Sequence, residues 1–102
     1  MAVGNPILTI AQPFARQTTL NVTAKTLIKA GPGYVEAVIV NTTNSAAGGV
    51  YDSATTGGTA AANQIAPIAN AVAVGQIKVQ AYFKNGLVVD PGTGGKVVVT
   101  FQ

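Results

Sequence analysis

The stretch QIKVQAYFK, residues 76–84, alternates polar and apolar side chains with a period of two. Successive side chains of a β-strand point to opposite sides, so this pattern predicts a strand with one buried face. The residues of that face are Ile77, Val79, Ala81 and Phe83. The closing stretch KVVVTFQ, residues 96–102, shows the same alternation. Together the two stretches predict a fold built from half-buried strands.

Glycine- and proline-rich turns divide the rest of the chain. Gly31-Pro32-Gly33 precedes one apolar run, and a glycine-rich turn from Pro91 to Gly95 precedes the last strand. Asn85-Gly86 is the strongest local hairpin signal, because a type I′ turn needs positive φ at both central residues. Strands of about 5–8 residues with turn signals every 8–12 residues or so are typical of a sandwich or barrel. We therefore predict an all-β fold, a single antiparallel β-sandwich of seven or eight strands.

The expected strands cover most of the chain. They are Ile7–Ile10, Thr18–Thr23, Thr26–Lys29, Tyr34–Asn41, Gly49–Ser53, Gln64–Ile68, Gln76–Lys84 and Lys96–Phe101, with Leu87–Val89 as a short extra. One helical turn is expected, within the Ala-rich segment Thr59–Gln64. We assign residues 18–102 to the sandwich domain. Residues 1–17 contain two prolines and little periodicity, which predicts either an extended N-terminal arm or a first strand.

Charged residues are scarce. Asp, Glu, Lys and Arg make up 9% of the chain, whereas about 25% is usual in soluble domains. Interface cores are depleted in charge, so this composition favours a surface covered by partners over a neutral free monomer. The net charge of +3 comes from single, scattered basic residues, so we expect no nucleic-acid partner. No stretch approaches the roughly 18 apolar residues of a membrane span, so we expect no membrane partner.

Side chains suited to catalysis or metal binding are few. The sequence has no histidine and no cysteine, which removes the commonest general base and all thiolate ligands. Its three acids, Glu36, Asp52 and Asp90, are far apart in the chain. The loop from Pro91 to Lys96 lacks the Ser or Thr and the helix of a phosphate-binding loop. We predict no enzyme activity, and no catalytic residue, cofactor or metal.

Three stretches resemble a known family in their order and spacing. They are LIKAGPGY (residues 27–34) with the apolar run to Asn41, VYDS (50–53) with the small-residue run to Thr59, and FKNGLVV (83–89) with VVVTF (97–101). Over residues 26–101 or so, the chain is similar to the small bacteriophage head decoration, or capsid cement, proteins. The resemblance implies a β-sandwich, of which the jelly roll is one form, that binds the outside of a capsid shell.

This resemblance also implies partners and a location. The partners would be the major capsid protein and further copies of this chain, as a homo-oligomer on the capsid surface of a virion made in the bacterial host cytoplasm. Two alternatives stay open: a phage neck, tail or fibre-attachment protein, and a glycan- or protein-binding β-sandwich module. Sheet edges and an N-terminal arm are the means we expect for such contacts. The residues expected at assembly contacts are Ile7, Leu8, Ile10, Phe14, Tyr51 and Tyr82.

Overall fold

The computed structural model describes residues 16–102, which form eight β-strands. The strands are β1 (Gln17–Val22), β2 (Thr26–Ala30), β3 (Gly33–Thr42), β4 (Gly48–Asp52), β5 (Gln64–Ile68), β6 (Gly75–Phe83), β7 (Gly86–Asp90) and β8 (Lys96–Phe101). Each begins and ends within two residues of a strand expected from the sequence, which confirms the all-β prediction. The strand expected at Ile7–Ile10 lies outside the described residues, as does nearly all of the N-terminal arm.

The connection between β4 and β5 contains two short 3₁₀ turns. One covers Thr56–Gly58 and the other covers Ala61–Asn63. The second confirms the single helical turn expected within Thr59–Gln64, and the first was not expected. Neither turn contributes a buried residue, so both serve as a surface connection and not as core elements.

The strands form two antiparallel four-stranded sheets. One has the order β1-β8-β3-β6, and the other has the order β2-β7-β4-β5. Pairing joins β1 to β8, β2 to β7, β3 to β6 and β4 to β5, as though one long hairpin had been wrapped on itself. Eight strands paired in this way over two sheets make a jelly roll. The sandwich prediction is confirmed in this form.

Asn85 and Gly86 do not form the hairpin turn that the sequence suggested. β6 ends at Phe83 in one sheet, and β7 begins at Gly86 in the other. Neither residue of the dipeptide has the positive φ that a type I′ turn requires. The dipeptide instead carries the chain from one sheet to the other. The turn after Pro91 is glycine-rich as expected, with positive φ at Gly92 and Gly94, but it also crosses between sheets.

The core lies between the sheets and consists mainly of valine. β-Branched side chains pack well on a pleated surface, which suits a sandwich of short strands. The buried cluster comprises Val22, Val35, Val38, Val40, Val50, Ile68, Phe83, Leu87, Val89, Val97, Val99 and Phe101. The buried faces predicted for β6 and β8 are confirmed. The apolar side chains of each strand either belong to this cluster or pack against it. β3 lies inside its sheet, as its long apolar run predicted.

Candidate functional site

The two tyrosines expected at assembly contacts lie on different sheets. Tyr82 is near the end of the edge strand β6, and it is 82% exposed. Tyr51 lies on β4 and is half-buried, with its hydroxyl oxygen 2.8 Å from the position that a Cβ on Gly49 would occupy. The structure therefore does not bring the two tyrosines together. The other expected contacts, Ile7, Leu8, Ile10 and Phe14, lie outside the described residues.

Tyr82 is paired with a different aromatic residue, Tyr34. The two residues are direct cross-strand neighbours on β6 and β3. Their ring centroids are 4.9 Å apart with an interplanar angle of 61°, which is an edge-on arrangement. Such pairs contribute about 0.5–1.5 kcal/mol beyond the area they bury. Tyr34 therefore supports a ring that would otherwise stand alone in solvent.

These two rings contribute to an open cleft at one end of the sandwich, which we call the tyrosine cleft. Its volume is about 580 Å³, within the range of roughly 300–1,000 Å³ typical of small-ligand sites. The lining residues are Gln17, Lys29, Pro32, Gly33, Tyr34, Tyr82, Phe83 and Gln102. They come from the start of β1, the end of β2, the turn after it, the start of β3, the end of β6 and the residue after β8. Only the jelly-roll pairing brings these segments together.

Close backbone packing shapes the wall of the tyrosine cleft. The Tyr34 N–H donates to the Gln102 carbonyl at 2.8 Å, and the Gln102 N–H donates back to the Tyr34 carbonyl at 2.7 Å. A Cβ on Gly33 would collide with the Gln102 carbonyl oxygen and lie 2.7 Å from the ring carbon Cζ of Phe83. Position 33 therefore requires glycine, because the main chain of Gln102 packs too closely against it for a Cβ atom to fit.

Lys29 supplies the one charged side chain of the cleft lining. Its Nζ lies 3.0 Å from the position that a Cβ on Gly33 would take. Within residues 16–102 the one ion pair joins Arg16 to Glu36, so Lys29 has no carboxylate partner in that range. The cleft thus holds an ammonium group among amides and phenol hydroxyls.

The second exposed surface is the outer face, the side of the β1-β8-β3-β6 sheet that points away from the core. Ile39 pairs with Val98 on one side and with Gln76 on the other. Leu20 lies next to Val98 in the register of β1 and is 69% exposed. Leu20, Val98 and Ile39 form an apolar row across β1, β8 and β3. Tyr34, five residues before Ile39 along β3, lies ~16 Å away at about 3.3 Å per residue, so the row and the tyrosine cleft are separate.

The outer face carries few charged side chains, and one ion pair joins two of them, whereas Lys78 is exposed without a carboxylate partner among residues 16–102. Arg16 Nη1 lies 3.7 Å from Glu36 Oε1. Gln80 Nε2 donates to Glu36 Oε2 at 3.4 Å. Exposed ion pairs of this kind contribute only about 0–1 kcal/mol to stability. The pair matters more for the charge of the surface, because a paired carboxylate leaves less net charge for a binding partner to cover.

Each edge strand of the two described sheets carries one extra residue relative to its neighbour. The pairing register places it near Asn21 in β1, at Ile28 in β2, at Ile65 in β5 and near Gln80 in β6. Asn21 and Gln80 also have positive φ, at 58° and 52°. Bulges twist an edge and interrupt its row of hydrogen-bonding groups, which hinders pairing with another chain.

Two of the three acids stabilise turns. Asp52 accepts hydrogen bonds from the backbone N–H groups of Lys84 at 2.9 Å and Asn85 at 2.8 Å. Desolvation alone would raise the pKa of Asp52, but these bonds and one from Gly86 hold the pKa below its ordinary value. Asp90 accepts from the Gly92 N–H at 2.9 Å. Both carboxylates therefore act as hydrogen-bond acceptors for backbone groups in turns.

Residues 16–102 contain no group of three or more acidic, histidine or cysteine side chains placed to hold a metal ion. No helix in this range is long and apolar enough to cross a membrane. Comparisons with protein-family models, curated proteins and solved structures found no match to this chain. Its function is therefore inferred from the fold and from the two surfaces above.

Proposed function

We propose that this chain is a non-enzymatic virion structural protein that binds and stabilises a phage capsid shell as a decoration protein. The observation that carries the proposal is the apolar row of Leu20, Val98 and Ile39 on a sheet face with few charged side chains. A surface with few free charges costs little desolvation when a partner covers it. Jelly rolls build viral capsid and lectin domains, although a fold alone does not define a function.

Association through the sheet face is favoured over strand addition. All four edge strands of the described sheets are bulged, and β5 also contains Pro67, which has no N–H to offer. A partner that adds a strand needs a regular edge. The face of the β1-β8-β3-β6 sheet has no such obstacle, because side chains and not backbone groups make the contact.

The outer face by itself is small for a stable interface. Four strands about 4.8 Å apart and about 20 Å long give a flat area of roughly 400 Å². A standard interface buries about 800 Å² on each partner. We propose that the N-terminal segment supplies the remaining area, through Ile7, Leu8, Ile10 and Phe14. Burial of each such side chain is worth about 1.5–3 kcal/mol, offset in part by ordering of the segment.

The proposed partners are the major capsid protein and neighbouring copies of this chain on the capsid surface. A neck, tail or fibre-attachment protein would use the same face and arm but would be present in few copies on each particle. The number of copies per purified particle therefore separates these two locations.

Co-sedimentation with capsid shells that lack the protein tests the proposal. Leu20→Asp places a charge in the apolar row and should weaken binding about tenfold or more, since an unpaired charge is costly to bury. Val74→Asp is the matched control, because Val74 is 66% exposed and lies outside the row, just before β6. Equal loss of binding in both variants, or in neither, would contradict the assignment of the apolar row.

Deletion of residues 1–12 tests the role of the N-terminal segment. If the truncated protein folds but no longer sediments with shells, the segment makes intermolecular contacts. If it unfolds as a monomer, the alternative reading of Ile7–Ile10 as a strand of the sandwich is correct. Near-UV circular dichroism of the truncated protein distinguishes these outcomes before any shell is added.

A further inference from the structure

We propose that the tyrosine cleft binds an acidic saccharide. This goes beyond shell binding and uses a different region of the same sheet, at the opposite end of β3 from the apolar row. It assigns Tyr82 to ligand binding, whereas the sequence suggested an assembly contact. The proposal rests on three features of the cleft: an exposed aromatic platform, an ammonium group without a carboxylate partner in the described range, and two side-chain amides.

The aromatic platform is fixed in place before any ligand arrives. Tyr82 is 82% exposed, and Tyr34 supports it edge-on with the ring centroids 4.9 Å apart. The face of an aromatic ring is electron-rich and attracts the polarised C–H groups of a sugar ring. Two hydrogen bonds to Gln102 hold the backbone of Tyr34 in place, so the ring pair projects from a fixed position on β3.

The polar groups of the cleft suit hydroxyl and carboxylate groups. Gln17 and Gln102 each offer an amide donor and an amide acceptor, which is the combination that sugar hydroxyls require. Lys29 adds an ammonium group, and no Asp or Glu lines the cleft to neutralise it. Hydrogen bonds to a charged partner are about twice as strong as neutral ones. A saccharide with a carboxylate therefore fits better than a neutral one.

The other occupant that an aromatic cleft accepts is a proline-containing peptide. Residues 1–15 contain Pro6 and Pro13, and they precede Gln17, a residue of the cleft lining, in the sequence. This segment contains no acidic residue that Lys29 could pair with. The charge of the cleft therefore favours the acidic saccharide, and the segment becomes a competitor to be tested.

Titration of the full-length, isotope-labelled protein tests the proposal by nuclear magnetic resonance. The acidic probes are trigalacturonic acid and 3′-sialyllactose, and the neutral probes are maltotriose and lactose. A synthetic peptide that copies residues 1–15 is the competing probe. The expected result is millimolar binding of at least one acidic probe, with shifts centred on the amides of Tyr34, Tyr82 and Gln102. Binding should weaken as NaCl rises from about 50 mM to about 500 mM, because salt screens Lys29.

Four variants show whether the binding uses the cleft. Tyr82→Ala and Lys29→Gln should each weaken binding of the acidic probe about tenfold or more. Val74→Ala and Lys78→Gln remove an exposed apolar side chain and an exposed lysine elsewhere, and should stay within roughly twofold of the parent. All four are compared by circular dichroism to show that they fold.

Three results would overturn the proposal. The first is no shift with either acidic probe at millimolar concentration. The second is equal affinity for the neutral probes, or equal loss in the control variants. The third is occupation of the cleft by the peptide in place of the saccharides. Shell binding is not used in this test, so its outcome is independent of the proposed capsid function.

Discussion

Asp52 accepts a hydrogen bond of 2.8 Å from the backbone N–H of Asn85, and this bond joins the end of one sheet to the turn that leaves the other. The same carboxylate accepts from the N–H of Lys84 at 2.9 Å. The crossover after β6 therefore depends on the side chain of the last residue of β4. Asp52 holds the two sheets together at the end of the sandwich where the tyrosine cleft lies.

Asp52→Asn should lower the free energy of unfolding by about 1–3 kcal/mol at neutral pH, because two hydrogen bonds lose a charged acceptor. The pKa of Asp52 is lowered in the folded state. Its contribution is therefore complete above the unfolded pKa, near ~3.9, and is lost as the pH falls through the lower folded pKa. Urea unfolding at several pH values should show the difference between parent and variant shrinking in acid. A difference that stays constant down to the lowest pH would show that the carboxylate charge is not involved.

Asn44→Ala should destabilise the opposite end of the sandwich. Asn44 is only 4% exposed, donates to the Pro91 carbonyl at 3.0 Å and accepts from the Val72 N–H at 3.2 Å. Removal of a buried hydrogen-bonding side chain leaves both partners unsatisfied, at a cost of about 1–3 kcal/mol. Thermal unfolding measures this effect. Asn70→Ala, at an exposed position nearby, should change stability by less than about 0.5 kcal/mol, and an equal effect there would contradict the bridging role.

Gly33→Ala should destabilise the protein and disturb the tyrosine cleft. The new methyl group would collide with the Gln102 carbonyl oxygen and crowd Phe83, and overpacking of this kind costs about 1–3 kcal/mol. Gly57→Ala is the matched control, since a Cβ there meets nothing within 4 Å. Denaturant midpoints and the tyrosine fluorescence of both variants give the comparison. Equal stability of the two variants would show that the last residue does not pack on β3 as described.

Pro67→Thr should make the protein more prone to aggregate without unfolding it. Pro67 is exposed on the edge strand β5 and has no N–H with which to pair another chain. The variant restores a donor to that edge, so light scattering during slow heating should rise earlier than for the parent. Pro32→Thr, in the turn between β2 and β3, is the control and should not aggregate earlier. If the β5 variant behaves like the parent, the bulge at Ile65 protects the edge without the proline.

The strands could be predicted from the sequence because their signal is local. The alternation in β6 and β8 lies within each strand, and both strands have the predicted faces. Strand pairing could not be predicted in the same way. In a jelly roll, consecutive strands such as β6 and β7 lie in opposite sheets, so the Asn85-Gly86 signal for a hairpin was wrong. Local turn chemistry cannot show which sheet the next strand joins.

The candidate sites were even less accessible to sequence reasoning. Tyr34 and Tyr82 are 48 residues apart in the chain and become neighbours only through the pairing of β3 with β6. Lys29 joins them from β2, and Gln102 joins them from just after β8. The scarcity of charge could be read from composition, but its consequence, a sparsely charged face with an apolar row, needed the register of four strands.

The most direct test of the proposed capsid function is a cryo-electron microscopy reconstruction of a phage particle produced together with this chain. We expect the jelly roll to occupy the outside of the shell lattice in many copies, with Leu20 and Ile39 facing the major capsid protein. The end that carries Tyr82 should remain open to solvent. A particle whose shell lacks the protein, or one that holds it with the β1-β8-β3-β6 face turned outward, would contradict the account.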